Sequence, residues 1–357
     1  MTILDRKKIR PDILKIQDDS FKEQMKFVLQ FIGLEENKQF NFQKIYAKLL
    51  DLNELFFKKK AGMFELHDKL TAEERTFLTG LLRYAMEHAA MQELENDPIP
   101  KEITIKSITV DKIPADWIIP SNPIEDRVIL YLHGGGWVIG SPLTHRALNS
   151  TIAEATNLKI LSIDYRLAPE HPFPAPLDDC VSAYKWLLSN GLKSDHIIIA
   201  GDSAGGNLTL TTLLKLKDQG IDLPAGAICL SPATDITLAD DSYFKNAETD
   251  PILADIGAFW WNVVYLAGED PHNPYISPLF GNLKGLPPIL IQASTCEILY
   301  SDATRFVEKA KKAGVNAILQ SWDDMMHVFQ GTRFELLPEA KDAISKIADF
   351  TNQLFKT

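Results

Sequence analysis

From residue 103 onward the chain alternates short runs rich in β-branched residues with longer runs whose apolar residues recur at helical spacing. The β-like runs are ITIKSITV (103–110), DWIIP (116–120), RVILYL (127–132), LKILSI (158–163), HIIIA (196–200), GAICLS (226–231), PPILIQAS (287–294) and AILQSW (317–322). Helix-like segments such as LDDCVSAYKWLLSN and NLTLTTLLKLKDQ lie between them. Several of the β-like runs are apolar throughout, as expected of parallel strands with helices on both faces. The pattern predicts an α/β fold: a mostly parallel eight-stranded sheet flanked by helices.

Two stretches depart from this rhythm. Residues 1–98 carry no convincing strand, and FKEQMKFVLQFIGL, FQKIYAKLLDLNELFF and ERTFLTGLLRYAMEHAAM all read as helices. The Pro98-Ile99-Pro100 step ends this helical third, because proline neither continues a helix nor tolerates a helical predecessor. Between the sixth and seventh runs, residues 235–282 are far longer than an ordinary crossover needs. The expected organisation is a helical segment over 1–98 and a catalytic domain over 99–357 with an insertion at 235–282. The two extra parts together form a cap over the end of the sheet, so removing residues 1 to about 40 should change KM or chain-length preference more than the chemistry.

Composition narrows the function. Acidic residues outnumber basic ones 48 to 37, a net charge of −11, which argues against a nucleic-acid or anionic-membrane partner. The charged beginning MTILDRKKIRPD has no apolar core of a secretory signal, so a cytoplasmic location is expected. The richest apolar stretch, FWWNVVYLA (259–267), is too short to span a bilayer. Cys180, Cys229 and Cys296 are too few and scattered for a disulfide framework or zinc site. They read as small buried hydrophobes.

The chemistry concentrates in two glycine-rich turns. In IIIAGDSAGGNL (197–208) a β-like run ends in Gly201-Asp202-Ser203-Ala204-Gly205 and a helical pattern follows, which fits the strand–turn–helix G-x-S-x-G motif of a nucleophilic serine. Seventy residues earlier, RVILYL runs directly into His133-Gly134-Gly135-Gly136-Trp137, a turn whose lack of Cβ atoms lets backbone N–H groups face a ligand oxygen. Both turns follow predicted strands and so open at the carboxyl edge, where open α/β sheets place their sites. A serine hydroxyl is a weak nucleophile at neutral pH and needs a base, usually a histidine held by a carboxylate.

HGGGW, DYRLAPEHPFPAPLDD, GDSAGG, ISPLF and the final HVF together resemble the hormone-sensitive-lipase family of esterases, bacterial family IV, over roughly residues 100–357. The resemblance implies an α/β-hydrolase fold with a helical cap, and carboxylic-ester hydrolysis through an acyl-enzyme without metal or other cofactor. It carries over Ser203 as nucleophile and Gly134, Gly135 and Ala204 as oxyanion-hole donors. In this superfamily the acid and then the histidine follow the serine in the chain. Only His272 and His327 do so, and His327, in the loop after the last strand, is the expected base. Glu297, nearest the end of the seventh strand, is the expected acid. Asp302 is the alternative, with first-turn support of the following helix as its ordinary role. Asp323 and Asp324 lie too near His327 in sequence to orient its ring.

Trp137, Phe259, Trp260 and Trp261 are aromatic side chains that could line an acyl or alcohol pocket, the first three being the pocket expectation, although aromatics at helical spacing are more often core. The 164–170 segment and Asp202 read as structural braces built from hydrogen-bonded charges. The expected substrate is a small ester with a short or medium acyl chain, with neither nucleic acid nor stable membrane insertion involved; a homodimer is compatible with this and not required. Two other functions fit parts of the pattern. A lactone hydrolase would use the same three residues. A ligand-binding receptor of the kind found among plant gibberellin receptors resembles the family but lacks the histidine, which this chain keeps as His327.

Overall fold

The computed structural model describes residues 4–58, 62, 65, 68–254 and 259–355, apart from the side chains of Phe259 and Trp260. The eight strands are β1 (Ile103–Val110), β2 (Ile113–Pro120), β3 (Val128–Leu132), β4 (Lys159–Ile163), β5 (Ile197–Asp202), β6 (Gly226–Leu230), β7 (Ile289–Ser294) and β8 (Ala317–Trp322). They form one sheet in the order β1-β2-β4-β3-β5-β6-β7-β8. β2 pairs antiparallel with β1 and β4, while β4, β3, β5, β6, β7 and β8 run parallel.

Helices cover both faces because successive strand residues point to opposite sides. Leu130, Leu132, Ile197 and Ile199 bury against α5 (Ala175–Ser189) and α6 (Ala204–Asp218). Their neighbours Ile129, Tyr131, Ile198 and Ala200 bury with α4 (Arg146–Thr156) and α10 (Pro338–Leu354). Every residue of β3, β5, β6 and β7 is buried. This double burial is why those strands read as continuous apolar runs.

Among the described residues of the first 98, none is in a strand. Helices α1 (Pro11–Gly33), α2 (Phe42–Phe57) and α3 (Ala72–Asn96) occupy this third, and α1 packs along α3. A capping box starts α3: Glu74 N–H donates to Thr71 Oγ1 while Thr71 N–H donates to Glu74 Oε2. Midway along α3, Arg83 donates to the carbonyls of Val138 (2.7 Å) and Ala168 (2.8 Å) and pairs with Glu170. The helical third therefore shares a core with the glycine-rich turn after β3, including Trp137, Val138 and Ile139. The 235–282 stretch contains α7 (Asp241–Lys245) and α8 (Phe259–Leu266), and α9 (Tyr300–Lys312) follows β7. No helix among the described residues is long and apolar enough to cross a membrane.

Register sets up the site. Leu132 pairs with Gly201, Asp202 with Leu230 and Ser294 with Trp322, so the loops after β3, β5, β6, β7 and β8 leave one edge of the sheet.

Candidate active site

Ser203 sits between β5 and α6 with φ 52° and ψ −118°, a conformation that costs a non-glycine residue on the order of 1–3 kcal/mol. Its surroundings hold it there. Ser203 N–H donates to Leu230 O (2.7 Å), and its own carbonyl accepts from Asn207 N–H (3.0 Å) in the first turn of α6. The turn is tight because Gly205 lies against β3: a Cβ there would be 1.9 Å from Leu132 O. Ser203 itself is half-buried there. Among the described residues, the hydrogen bond of the His327 ring is to Glu297, with none between Ser203 Oγ and His327.

His327 and Glu297 meet across two loops. His327 Nδ1 lies 2.5 Å from Glu297 Oε2, with the histidine side chain 7% exposed and the glutamate fully buried. The other oxygen, Oε1, accepts from Ser231 Oγ (2.7 Å) and Ser294 N–H (2.8 Å), which fixes the carboxylate plane. With Nδ1–H donated to Glu297, the free lone pair of the neutral ring is on Nε2. Burial alone would lower the imidazole pKa. The charge and hydrogen bond of Glu297, with Asp250 and Asp202 behind them, outweigh burial and raise it above the ordinary 6.5.

Asp302 has other partners. It is buried at the start of α9, where its Oδ2 accepts from the N–H groups of Thr234 (2.5 Å) and Asp235 (2.8 Å) in the loop after β6. Burial drives its pKa well upward. Asp302 thus ties two loops together rather than serving only its own helix. Asp323 accepts from Thr295 Oγ1, and His272 is exposed and paired with Asp270.

The glycine turn corrects one expectation. Gly134 N–H, expected to donate to an oxyanion, lies 3.1 Å from Asp202 Oδ1 and so faces a buried carboxylate. The N–H groups of Gly135, Gly136 and Ala204 donate to no acceptor among the described residues. Gly135 and Gly136 take positive φ (115° and 59°) in the turn after β3, and Ala204 is the first residue of α6, whose initial N–H groups lack intrahelical partners. Sequence shows that glycines are present; it does not show where each N–H points.

Asp202 is the hub beneath this turn. Its Oδ1 also accepts from Tyr131 OH (2.8 Å), and its Oδ2 is 3.3 Å from His145 Nε2. Burial would raise the Asp202 pKa, but His145 and Tyr131 bring it below the ordinary value; His145 is raised in return by Asp202, against its own burial. Above them, His133 is held neutral, its pKa pushed down to about 3 by burial and by His145. Its carbonyl accepts from Tyr165 OH (2.6 Å), and Arg166 grips the Asp179 carboxylate through Nε and Nη2, one edge of its guanidinium. His145, fifty-seven residues from Asp202, was not legible as its partner.

The pocket expectations fare differently. Trp137 is 2% exposed and stacks on Tyr265 at 4.4 Å, so its ring belongs to the core. The side chains of Phe259 and Trp260 lie outside the described residues. Trp261 is the aromatic residue at the turn: a Cβ on Gly136 would be 2.3 Å from its ring. A surface cleft of about 410 Å³, lined by Lys112, Asp164, Arg166 and Asp179 among others, includes none of Ser203, Glu297 and His327. No group of three or more His, Cys, Asp or Glu among the described residues is placed to hold a metal ion.

Comparison with known proteins agrees with this architecture. Residues 129–331 match the model of a family described as having the alpha/beta hydrolase fold. An acetyl-hydrolase of Streptomyces hygroscopicus is 38% identical over 243 residues, covering 68% of this chain and 81% of that protein. An esterase of Acinetobacter venetianus is 40% identical over 230 residues, covering 64% and 75%. The crystal structure of an esterase from the bacterial hormone-sensitive lipase family superposes with a TM-score of 0.74 at 38% identity, covering 86% of this chain and 98% of the other. The chain belongs to the α/β-hydrolase family, among the esterases of hormone-sensitive-lipase type.

Proposed function

We propose that this esterase hydrolyses short- to medium-chain carboxylic esters by two-step acyl transfer on Ser203. His327 Nε2 takes the hydroxyl proton as Oγ attacks the ester carbonyl. Glu297 keeps the ring in the required tautomer and stabilises the imidazolium that forms. The N–H groups of Gly135, Gly136 and Ala204 receive the oxyanion, with Gly136 taking the part first expected of Gly134. The tetrahedral intermediate collapses, and His327 returns the proton to the departing alcohol. Water, deprotonated by the same histidine, then releases the acid and restores Ser203.

The observation that carries this reading is the 2.5 Å Glu297–His327 contact at the sheet edge where the strained Ser203 turn emerges. Trp261 packed against Gly136 narrows the approach to the oxyanion donors, and a relative named for acetyl hydrolysis supports small acyl groups. The helical third and the 235–282 insertion form the cap in this reading, which the shared core with Trp137, Val138 and Ile139 supports.

Hydrolysis of a p-nitrophenyl ester series from acetate to palmitate by wild type and Ser203→Ala tests it. Turnover should peak at short or medium chains and vanish in the variant. Equal rates in the two proteins would refute the assignment.

A further inference from the structure

The loop that carries Glu297 is gripped from outside the sheet. Four consecutive carbonyls, Thr295 to Ile298, each accept from a side chain of residues 242–249. Asn246 Nδ2 donates to Thr295 O (2.9 Å) and Glu297 O (2.8 Å), Thr249 Oγ1 to Cys296 O (3.2 Å) and Ser242 Oγ to Ile298 O (2.5 Å). Asp250 completes the grip. Its Oδ2 accepts from Ile298 N–H (2.9 Å), while its Oδ1 accepts from Ile252 and Leu253 in its own segment. A segment that only slides open over a site has no need to satisfy the backbone of the acid's loop residue by residue.

The N-terminus holds this segment in turn. Asp5 N–H donates to Glu248 O (2.9 Å), Lys8 pairs with the Glu248 carboxylate, Gln17 donates to Pro251 O and Asn53 to Ala254 O. The same stretch reaches the histidine loop: Leu4, Ile9 and Ile13 bury with Met325, Met326 and Phe329, which flank His327. Ile13 is fully buried there, and Arg10 anchors to Glu339 on α10 (2.7 Å).

We propose that residues 4–17 and 242–250 form one brace that sets the Glu297–His327 pair, making the N-terminal segment a positioning element for the base as well as part of a cover. Its kinetic consequence rests on the esterase reading above; the geometric claim does not. Misplacing a reacting group by about 1 Å costs on the order of 10²-fold in rate. Loosening the brace should therefore lower kcat and leave KM nearly unchanged. It should also lower the His327 pKa, because the charged groups whose fields reach that ring are Glu297 from the loop after β7, Asp250 from the brace and Asp202 from β5. Displacing either of the first two removes a raising influence.

The test uses full-length Asn246→Ala and Ile13→Ala, with Ile13→Val as the conservative control. It measures kcat and KM on p-nitrophenyl butyrate, the acid limb of the pH profile, and the downfield proton resonance of His327 Nδ1–H. The expected result is a roughly 10- to 100-fold loss of kcat with KM little changed. The acid limb should move to lower pH, the Nδ1–H resonance should move upfield, and Ile13→Val should behave much like wild type. Should Asn246→Ala fail to fold, Thr249→Val removes one of the four carbonyl contacts and carries the same readouts. Folded variants whose kcat, acid limb and resonance match wild type, with losses confined to Tm or KM, would overturn the brace. A wild type inert toward all esters would instead overturn the esterase reading, and the resonance alone would then decide the brace.

Discussion

Glu297, in the loop after β7, and Asp302, five residues on in the first turn of α9, are both fully buried, yet only Glu297 reaches His327; Asp302 turns to the backbone of Thr234 and Asp235. The two carboxylates therefore predict separable defects. Glu297→Gln keeps the shape but removes the charge facing Nδ1–H, and kcat should fall on the order of 10⁴-fold, as for the corresponding change in a serine protease. Steady-state kinetics on a butyrate ester would show it. A variant retaining a tenth or more of wild-type kcat would exclude Glu297 as the acid.

Asp302→Ala should chiefly cost stability. It leaves two buried backbone N–H groups without their acceptor, at about 1–3 kcal/mol each. Denaturant unfolding should register a loss on the order of 2–6 kcal/mol, with the folded fraction keeping kcat within several-fold. An undiminished stability would mean that the loop after β6 does not depend on this carboxylate.

Much of this was readable in the residues. The β-like runs at 103–110 and 317–322 coincide with β1 and β8 to the residue, because a short run bounded by turn formers marks a strand locally. Ser203 and His327 could be singled out because a local turn motif and chain order mark them. Other features had no local mark. The direction of Gly134 N–H is set by a carboxylate 68 residues away, and the grip of Asn246 on Glu297 O spans 51 residues. Asp302 looked like a first-turn residue of α9 because sequence gives its place on the helix and not the loop packed against it. Trp137 looked like a pocket aromatic, but its stacking on Tyr265 depends on α8 folding back across the turn.

Gly205→Ala should disable the elbow. The added Cβ would fall 1.9 Å from Leu132 O and 2.5 Å from His133 O, both backbone atoms that can move only by shifting β3 and the glycine turn with it. The expected outcome is a drop in Tm and near-complete loss of ester turnover at a temperature where the variant remains folded. Wild-type turnover in a folded Gly205→Ala protein would contradict the packing of α6 against β3.

The pH profile has a definite sign. In the proposed mechanism His327 must be neutral to accept the serine proton, and its pKa in the folded protein is raised above the ordinary 6.5 because Glu297, with Asp250 and Asp202, outweighs burial. Activity should therefore be full on the alkaline side and fall as pH drops through that raised value. A plot of log kcat/KM should bend above pH 6.5, with unit slope on its acid side. A bend at or below 6.5 would mean that Glu297 does not hold the ring as the structure indicates.

Covalent trapping asks whether Ser203 is the nucleophile, as proposed. Wild-type protein is treated with diethyl p-nitrophenyl phosphate, which phosphorylates an activated serine, and the modified peptides are located by mass spectrometry while residual esterase activity is followed. One diethylphosphoryl group per chain should form, on Ser203, accumulating in proportion to lost activity and absent from Ser203→Ala. Full loss of activity with Ser203 unmodified, or stoichiometric modification of Ser203 with activity intact, would contradict it.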